Sequence, residues 1–200
     1  MSTKERIEKA AEGIIRTQGI DGLTMRHLAE TAEVALKTPY NLYGSKTGVL
    51  LALLDRTTNA LLLELMSDDS PLVLQKLFNA LATLGRFYSE DEDYLRLIFW
   101  AVMTSNHPQE RAAAHANIVA IVSANITEAH AEKELSPKLE PAILGEQLGL
   151  NLLANLGSWA GGHLSMEATI SHTKSVWLAL IAPQATKKAK TTLAAYSASL

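Results

Sequence analysis

The segment AETAEVALKTPYNLYGSK, from Ala29 to Lys46, decides how this chain is interpreted. It lies between two stretches with regular helical patterns, yet it has almost no apolar face of its own. Two tyrosines and two lysines occur within these eighteen residues. Polar and aromatic side chains at such a density indicate a role other than filling a hydrophobic core.

The composition of the whole chain is that of a globular protein, with 48% hydrophobic and 20% charged residues and a net charge of -3 over 200 residues. The absence of cysteine excludes disulfides, thiol nucleophiles and Cys-ligated zinc. The charged N-terminal segment MSTKERIEKAAEG lacks the apolar core of a signal peptide. The most apolar stretch, 142–162, is interrupted by polar side chains and is not expected to span a membrane. We therefore expect a cytoplasmic protein.

Charge is distributed unevenly along the chain. Residues 1–50 carry seven Lys and Arg against six acids, while the remaining residues carry eleven against fifteen. This balance is weak evidence for nucleic-acid binding, because a domain with a clear electrostatic footprint is more basic. The placement of the basic residues has to decide the question.

Helical patterns cover most of the sequence. Ser2 and Glu5 fit a capping box, and apolar residues then recur at helical spacing until Gly19. Thr24 is placed to cap a second, short helix, and Ser45 a long one. Further helical segments are predicted at about 72–88, 94–103, 109–134, 142–160 and 166–181. No alternating strand-like pattern of useful length occurs. We predict an all-α chain of eight or nine helices. The sequence leaves open whether the tail of small and basic residues after Pro183 is ordered.

The opening segment has the spacing of a helix-turn-helix. Ala29 is small enough for a neighbouring helix to approach closely, Val34 is a single apolar anchor after a turn, and a short helix is predicted from Ala35 to Tyr43. In this motif the second helix lies in the DNA major groove, so its outer face must be polar while its inner face packs. The polar composition of the segment then has a physical reason.

The same residues carry a family resemblance. Thr24-Met25-Arg26-His27-Leu28-Ala29, followed by Val34, Thr38, Tyr40, Tyr43 and Ser45-Lys46, resembles the N-terminal signature of TetR-type bacterial transcriptional regulators. The resemblance covers about the first fifty residues. It implies a three-helix helix-turn-helix DNA-binding domain at 1–48 and a helical ligand-binding and dimerisation domain at 49–200. It also implies a homodimer that acts as a repressor, with a palindromic double-stranded DNA operator and an unidentified small-molecule effector as partners.

Seven residues are candidates for contacts with DNA: Thr24, Arg26, Lys37, Thr38, Tyr40, Tyr43 and Lys46. Thr24 and Lys46 stand at helix starts, where a hydroxyl, an ammonium group and free N–H groups suit a phosphate oxygen. Tyr40 and Tyr43 can reach phosphates with their hydroxyls, and similar proteins use the first of them in this way.

Base edges are assigned to the start of the second helix of the motif. Lys37 suits guanine O6 and N7, and the methyl group of Thr38 suits thymine. Arg26 is placed for either a phosphate or a base. The competing interpretation is a solvated Lys37 with tyrosines that pack against the rest of the protein.

The sequence departs from the family pattern at three positions of the motif. Glu33 stands where such proteins usually have Gly, and a positive φ there costs a non-Gly residue roughly 1–2 kcal/mol. Ala35 replaces the usual Ser or Thr cap, a loss of about 1 kcal/mol. Pro39 removes a backbone donor early in the helix. These departures favour the competing hypothesis, an all-α apolar-ligand carrier or protein-interaction module with a degenerate helix-turn-helix.

Two surfaces are expected in the helical body. Glycines between 145 and 161 recur at multiples of four residues and indicate a face that another helix approaches closely. The dimer-interface candidates are Leu148, Leu152, Trp159, Trp177 and Leu180, with intrachain core as the alternative for some of them. The ligand candidates are Trp100, Met103, His107, His115, Asn151 and Asn155, polar or flanking residues in apolar helices. For each of these, capping or a hydrogen bond across the dimer is the alternative role.

Catalytic motifs are lacking. The sequence has no His-Glu-x-x-His, no Gly-rich phosphate loop and no Gly-x-Ser-x-Gly elbow. The pairs His130/Glu134 and His163/Glu167 have the i, i+4 spacing of metal ligands, but two ligands on one helix are usually a chance occurrence. We expect no enzymatic activity, no cofactor and no metal.

Overall fold

The computed structural model describes residues 1–197, apart from the side chain of Glu110, and this part of the chain forms ten α-helices. Their bounds are α1 Thr3–Gly22, α2 Met25–Thr31, α3 Lys37–Tyr43, α4 Lys46–Leu65, α5 Val73–Glu90, α6 Glu92–Met103, α7 Pro108–Ala131, α8 Pro141–Ala160, α9 Met166–Ile181 and α10 Lys187–Ser197. A 3-10 turn at Ala182–Gln184 precedes α10, and one isolated β-bridge joins Leu135 and Ala185. The predicted all-α class is confirmed, and the helix beyond the predicted eight or nine is α10.

The chain divides into two compact units. Unit 1 consists of Met1–Ala60 and Asp91–Ala114, and unit 2 of Leu61–Glu90 and the residues from His115 onward. The predicted division into a DNA-binding domain at 1–48 and a ligand-binding and dimerisation domain at 49–200 concerns function, and it remains a prediction.

Helix α1 organises unit 1. The predicted capping box is present: Ser2 Oγ accepts from the Glu5 backbone N–H at 3.2 Å, and Glu5 Oε2 accepts from the Ser2 N–H at 2.7 Å. The apolar stripe of the helix is buried, and it packs on α2 and α6. Gly19 interrupts the helical geometry with φ 70°, a conformation that only glycine adopts without strain. Gly19 was expected to end the helix; the helical geometry breaks there, but α1 continues to Gly22.

The start of α4 is a tight corner in unit 1. Ser45 Oγ accepts from the Gly48 backbone N–H at 2.9 Å, as its predicted capping role requires. A Cβ atom at Gly48 would fall on the carbonyl oxygen of Tyr43. The turn from α3 into α4 therefore depends on a residue without a side chain at position 48.

Unit 2 is built around α9, which packs on α5 and α8. Trp177 of α9 is 1% exposed, and its indole N–H donates to the Leu148 carbonyl at 3.1 Å. Phe78 lies edge-on to Trp177, and Tyr88 lies edge-on to Trp159. Large aromatic side chains with a satisfied polar group make this a specific core.

Four of the five predicted dimer-interface residues are wrong as interface contacts. Leu148, Leu152, Trp159 and Trp177 are each at most 5% exposed within a single chain, so they offer no surface to a partner. The alternative role as intrachain core applies to them. Leu180 differs from them, because it is 42% exposed.

The expected close approach at the glycines of α8 occurs, but within one chain. A Cβ atom at Gly145 would lie 2.6 Å from Ser123 Cα, and one at Gly149 would lie 2.8 Å from Val119 Cα. Both contacts are with the backbone of α7. These two glycines therefore let α7 and α8 pack closely inside unit 2.

Glu134 joins three elements of unit 2. Its side chain is 1% exposed, and its two carboxylate oxygens accept from the backbone N–H groups of Val73 and Leu74, each at 2.9 Å. These N–H groups open α5 and have no acceptor inside the helix. Lys188 Nζ, on α10, lies 3.9 Å from the same carboxylate. The role of Glu134 is thus to cap a helix.

The tail, whose order the sequence left open, forms the helix α10 up to Ser197. Ala189 and Leu193 of α10 are buried. The Tyr196 ring stacks on Phe78 with centroids 5.1 Å apart, and its hydroxyl donates to the Gln75 carbonyl at 3.3 Å. The composition of small and basic residues hid a few apolar side chains at helical spacing.

Candidate nucleic-acid interface

The first helix of the motif, α2, forms as expected. Thr24 is its N-cap, and its hydroxyl accepts from the His27 backbone N–H at 3.2 Å. Leu28 and Ala29 are buried against the neighbouring helices. The Thr24 hydroxyl accepts in this cap, so its O–H can still donate to a phosphate oxygen.

The turn after α2 carries the strain that its sequence predicts. Glu33 has φ 53°, in the left-handed region that favours glycine. The Val34 N–H donates to the Ala29 carbonyl at 3.0 Å and closes the turn. The expectation that Glu33 replaces a left-handed glycine is therefore confirmed.

The second helix, α3, begins later than predicted. It starts at Lys37, two residues after the predicted start at Ala35. The expected lack of a side-chain cap is confirmed, and the Ala35 carbonyl accepts from the Thr38 N–H at 2.8 Å. Pro39 is consequently the third residue of the helix, where a backbone N–H has no intrahelical acceptor. Pro39 therefore lacks a backbone donor early in the helix, as expected, without the loss of an intrahelical hydrogen bond, and its ring is buried on the inner face.

The outer face of α3 is open to solvent. Lys37 and Asn41 are exposed, and Tyr40 is 50% exposed. Leu36 and Leu42 are also exposed, at 46% and 51%. Exposed apolar side chains beside polar ones suit the major groove, where thymine methyl groups lie among hydrogen-bonding base edges.

The predicted DNA contacts differ in how available they are. Lys37 and Tyr40 lie on the outer face of α3, and Arg26 is exposed on the first turn of α2. Thr38 is half-buried and lies toward the flank of α3. Their roles toward DNA remain predictions.

Tyr43 and Lys46 instead contact unit 1 itself. The Tyr43 hydroxyl donates to Glu8 Oε1 at 3.2 Å, and burial together with the Glu8 charge raises the pKa of this phenol. The Lys46 ammonium donates to the Ile20 carbonyl at 2.5 Å. Both side chains therefore hold α3 and the start of α4 against α1, and a phosphate contact would be an additional role.

The basic side chains of unit 1 differ in whether they form ion pairs with carboxylates of the same unit. Arg16 and Arg56 bridge to carboxylates, with Arg56 Nη2 at 2.5 Å from Glu12 Oε2 and Arg16 bonded to both Glu12 and Asp91. Lys46 and Arg111 form no ion pair with the described residues but donate to backbone carbonyls. Four other bases form neither an ion pair nor a side-chain hydrogen bond with any residue described here, namely Arg6, Lys9, Arg26 and Lys37. All four lie between residues 6 and 37. The bases of unit 1 that have no side-chain partner in the described chain therefore lie in and beside the helix-turn-helix, where Asp21, Glu30 and Glu33 also form no ion pair.

The paired bases stiffen the same unit. Burial raises the pKa of Glu12, but the hydrogen bonds and charges of Arg16 and Arg56 outweigh this, and the net pKa is lowered. The Arg16 guanidinium also lies over the Tyr94 ring, 4.2 Å from its centroid. Burial raises the pKa of Tyr94 to about 12. This network ties α1 to α4 and α6 behind the motif.

Sequence reasoning missed Leu36 and Asn41. The signal that could have identified Asn41 was its spacing of four residues from Lys37, which puts both on one helical face. The exposure of Leu36 was missed because the residue was taken to lie inside a helix that begins at Ala35.

The predicted ligand residues fall into different units. Trp100, Met103 and His107 belong to unit 1, where Trp100 is 45% exposed, Met103 half-buried and His107 exposed. In unit 2, His115 is exposed on α7.

The two predicted asparagines of unit 2 differ from each other. The Asn155 amide donates to Thr173 Oγ1 at 2.9 Å within the chain. Asn151 Oδ1 is buried without a hydrogen-bond partner in the described part of the chain. A groove of about 720 Å³ between α9 and α10 is lined by other residues, including Leu178, Lys190 and Leu193.

No helix within residues 1–197 has both the length and the apolar character needed to span a bilayer.

Comparison with known proteins gives matches in structure but not in sequence. No protein-family model and no curated protein matches the chain. Among solved structures, TylP, a TetR regulator from Streptomyces fradiae, is 17% identical and aligns over 95% of this chain and 90% of its own, with a TM-score of 0.67. FadR of Thermus thermophilus, a TetR family transcriptional repressor in complex with lauroyl-CoA, is 18% identical over 88% of this chain and 93% of its own, with a TM-score of 0.69.

A third structure agrees with these two. The fatty acid degradation regulator FadR from Bacillus halodurans is 16% identical over 90% of this chain and 95% of its own, with a TM-score of 0.67. The alignments extend through both the helix-turn-helix and the helical body. The chain therefore has the fold of the TetR-family transcriptional regulators.

Proposed function

We propose that this chain is a homodimeric transcriptional repressor that binds a palindromic DNA operator through α3 and is released from it by a small-molecule effector. The observation that carries the proposal is the two-sided character of α3. Pro39 packs inward, while Lys37, Tyr40 and Asn41 face solvent. A short helix with a packed inner face and a polar outer face is what a major-groove reader requires.

The charge distribution supports the same function. Arg26 and Lys37 form no ion pair with the described residues, so their charges are available to DNA. We assign Lys37 to guanine O6 and N7, and Arg26 and Tyr40 to phosphates. Phosphate contacts release counterions, so affinity should fall steeply as salt is added.

We expect two-fold symmetry from the way in which recognition helices dock on DNA. Paired recognition helices must enter major grooves about 34–36 Å apart, which requires two copies of the chain. The exposed sides of α8 and α9 carry large apolar residues that a second copy would cover: Ile143, Leu150, Val176 and Leu180. We propose this surface, called here the α8–α9 face, as the dimer interface.

An effector site is proposed in unit 2. Asn151 Oδ1 is buried without a partner, and leaving such an acceptor unpaired costs free energy that a ligand donor would recover. T. thermophilus FadR was solved with lauroyl-CoA, so ligand binding occurs on this fold. A difference of ~1.4 kcal/mol in effector affinity between two arrangements of the protein changes operator affinity about tenfold.

The test of DNA binding is selection of bound sequences from a random duplex pool at moderate salt. We expect a palindrome whose half-sites lie about one helical turn apart. Recovery of no motif would overturn the proposal and favour a carrier or interaction module with a degenerate helix-turn-helix. Lys37→Ala should lose the preference for guanine at one position of each half-site. Lys187→Ala is its control and should keep that preference, because Lys187 is exposed on α10, in unit 2.

The test of sensing is release of the selected duplex by candidate effectors, lauroyl-CoA among them. An effector should lower operator affinity in the wild type and act less well on Asn151→Leu. Operator binding that no effector changes would leave the DNA-binding proposal standing and remove the sensing one.

A further inference from the structure

The geometry of α3 places one amide side chain at the centre of its outer face. Successive residues of an α-helix are about 100° apart, so positions two residues before and after a given residue both lie roughly 160° from it. Pro39 is the buried residue of α3. Lys37 and Asn41 stand two positions to either side of it. These two side chains therefore point most directly away from the body of unit 1.

The other exposed positions of α3 lie on the flanks of this face. Tyr40 and Leu42 are adjacent in sequence to Asn41, so each is turned about 100° from it. A side chain at the edge of a recognition helix is well placed for a phosphate or a groove wall. The central positions point most directly into the groove, where base edges present their donors and acceptors.

The Asn41 carboxamide is uncommitted in the described chain. It is exposed and takes part in no hydrogen bond with another described residue. By contrast, the amide of Asn79 donates to Asp68 Oδ2 at 2.9 Å, and that of Asn155 donates to Thr173. Nothing in the fold of unit 1 uses the donor and acceptor of Asn41, which leaves both of them for an outside partner.

We propose that Asn41 is a base-reading residue that recognises adenine in each half-site of the operator. An asparagine carboxamide can accept from adenine N6 and donate to adenine N7 at the same time. No other base pair presents this pattern in the major groove. The inference rests on the proposed function, because it assigns one more contact to the DNA-reading helix.

Lys37 and Asn41 are expected to recognise different bases. The Lys37 ammonium has only donors and suits the two acceptors of guanine, whereas the Asn41 amide needs a base with one donor and one acceptor. The residues are four apart on one face, about one helical turn. The half-site should therefore contain a guanine and an adenine that depend on different side chains.

The experiment compares sequences selected from a random duplex pool by the wild type, Asn41→Ala and Asn59→Ala. Asn59 is exposed on α4, outside the helix-turn-helix, and supplies a matched change of the same chemistry. For the wild type and Asn59→Ala we expect the same palindrome with an adenine at one position of each half-site. For Asn41→Ala we expect that position alone to become indifferent.

Binding to single-base variants of the selected duplex gives the magnitude. Replacing the adenine should weaken wild-type binding about five- to one-hundred-fold and Asn41→Ala binding less than twofold. If the wild type selects a palindrome and Asn41→Ala keeps the same preference at every position, the Asn41 assignment is wrong while the proposed function stands. If the wild type selects no motif, the proposed function is wrong, and the Asn41 assignment is wrong with it.

Discussion

At the scale of single residues, the helix-turn-helix holds its turn at the cost of backbone strain. Glu33 has φ 53°, and Lys133, between α7 and α8, has φ 59°. A left-handed conformation costs a non-glycine residue roughly 1–2 kcal/mol. Since Glu33 is exposed and lies outside the outer face of α3, the strain affects stability more than DNA reading.

Replacing Glu33 by glycine should therefore stabilise the protein. For Glu33→Gly we expect a gain of about 1 kcal/mol in the free energy of unfolding, because the steric cost disappears while the unfolded chain becomes slightly more flexible. Urea unfolding measures it. Glu30→Gly is the control, and it should lose about 1 kcal/mol because residue 30 lies within α2. A loss of stability in Glu33→Gly would contradict the strain.

The corner at Gly48 should tolerate no side chain. In Gly48→Ala the new Cβ meets the Tyr43 carbonyl, a backbone atom that cannot move aside. We expect a loss of about 1–3 kcal/mol, as is usual for overpacking. The control is Gly13→Ala, where the Cβ meets nothing within 4 Å and helix propensity predicts a gain of about 1 kcal/mol. Equal effects of the two changes on thermal unfolding would refute this account of the corner.

At the scale of helices, the buried carboxylate of Glu134, in the turn after α7, connects α5 and α10. Glu134→Ala would leave the buried N–H groups of Val73 and Leu74 without acceptors. We expect a loss of about 2–5 kcal/mol. Glu134→Gln keeps one oxygen and should lie in between. Glu132→Ala is the control, since Glu132 also faces Lys188 but is 61% exposed, and it should change stability by less than about 0.5 kcal/mol. Similar losses for the alanine variants at 132 and 134 would argue against the cap.

The helices that the sequence predicts well are those with strong local signals. The Ser2–Glu5 box, the Thr24 and Ser45 caps and the break at Gly19 all involve residues close in sequence, and each is present. These features need no knowledge of tertiary packing.

The errors concern contacts between distant segments. The sequence does not show whether Trp159 and Trp177 are core or interface residues, because this depends on how α5, α8 and α9 pack. In the same way, the glycines of α8 predict that another helix packs closely, but the sequence does not identify that helix as α7. The start of α3 was missed because Leu36 has no capping side chain. Asn41 was missed although its spacing of four residues from Lys37 is visible in the sequence.

At the scale of the whole molecule, DNA reading by a palindrome requires two copies of the chain. For Leu150→Asp combined with Leu180→Asp we expect a monomer in sedimentation velocity, because both residues lie on the proposed α8–α9 face and are more than 40% exposed. Leu63→Asp, at a residue 71% exposed on α4, is the control and should remain a dimer. Circular dichroism should show that all variants keep their helices. A double variant that stays dimeric would place the interface elsewhere.

The most direct test of the central claim, that the outer face of α3 reads base sequence, is a comparison of affinities by fluorescence anisotropy. The wild type is titrated against the selected duplex and against a scrambled duplex of the same composition at about 150 mM salt. We expect the selected duplex to bind at least ~10³-fold more tightly, and the Lys37→Ala, Asn41→Ala double variant to lose most of that ratio. Equal affinity of the wild type for both duplexes would contradict the claim.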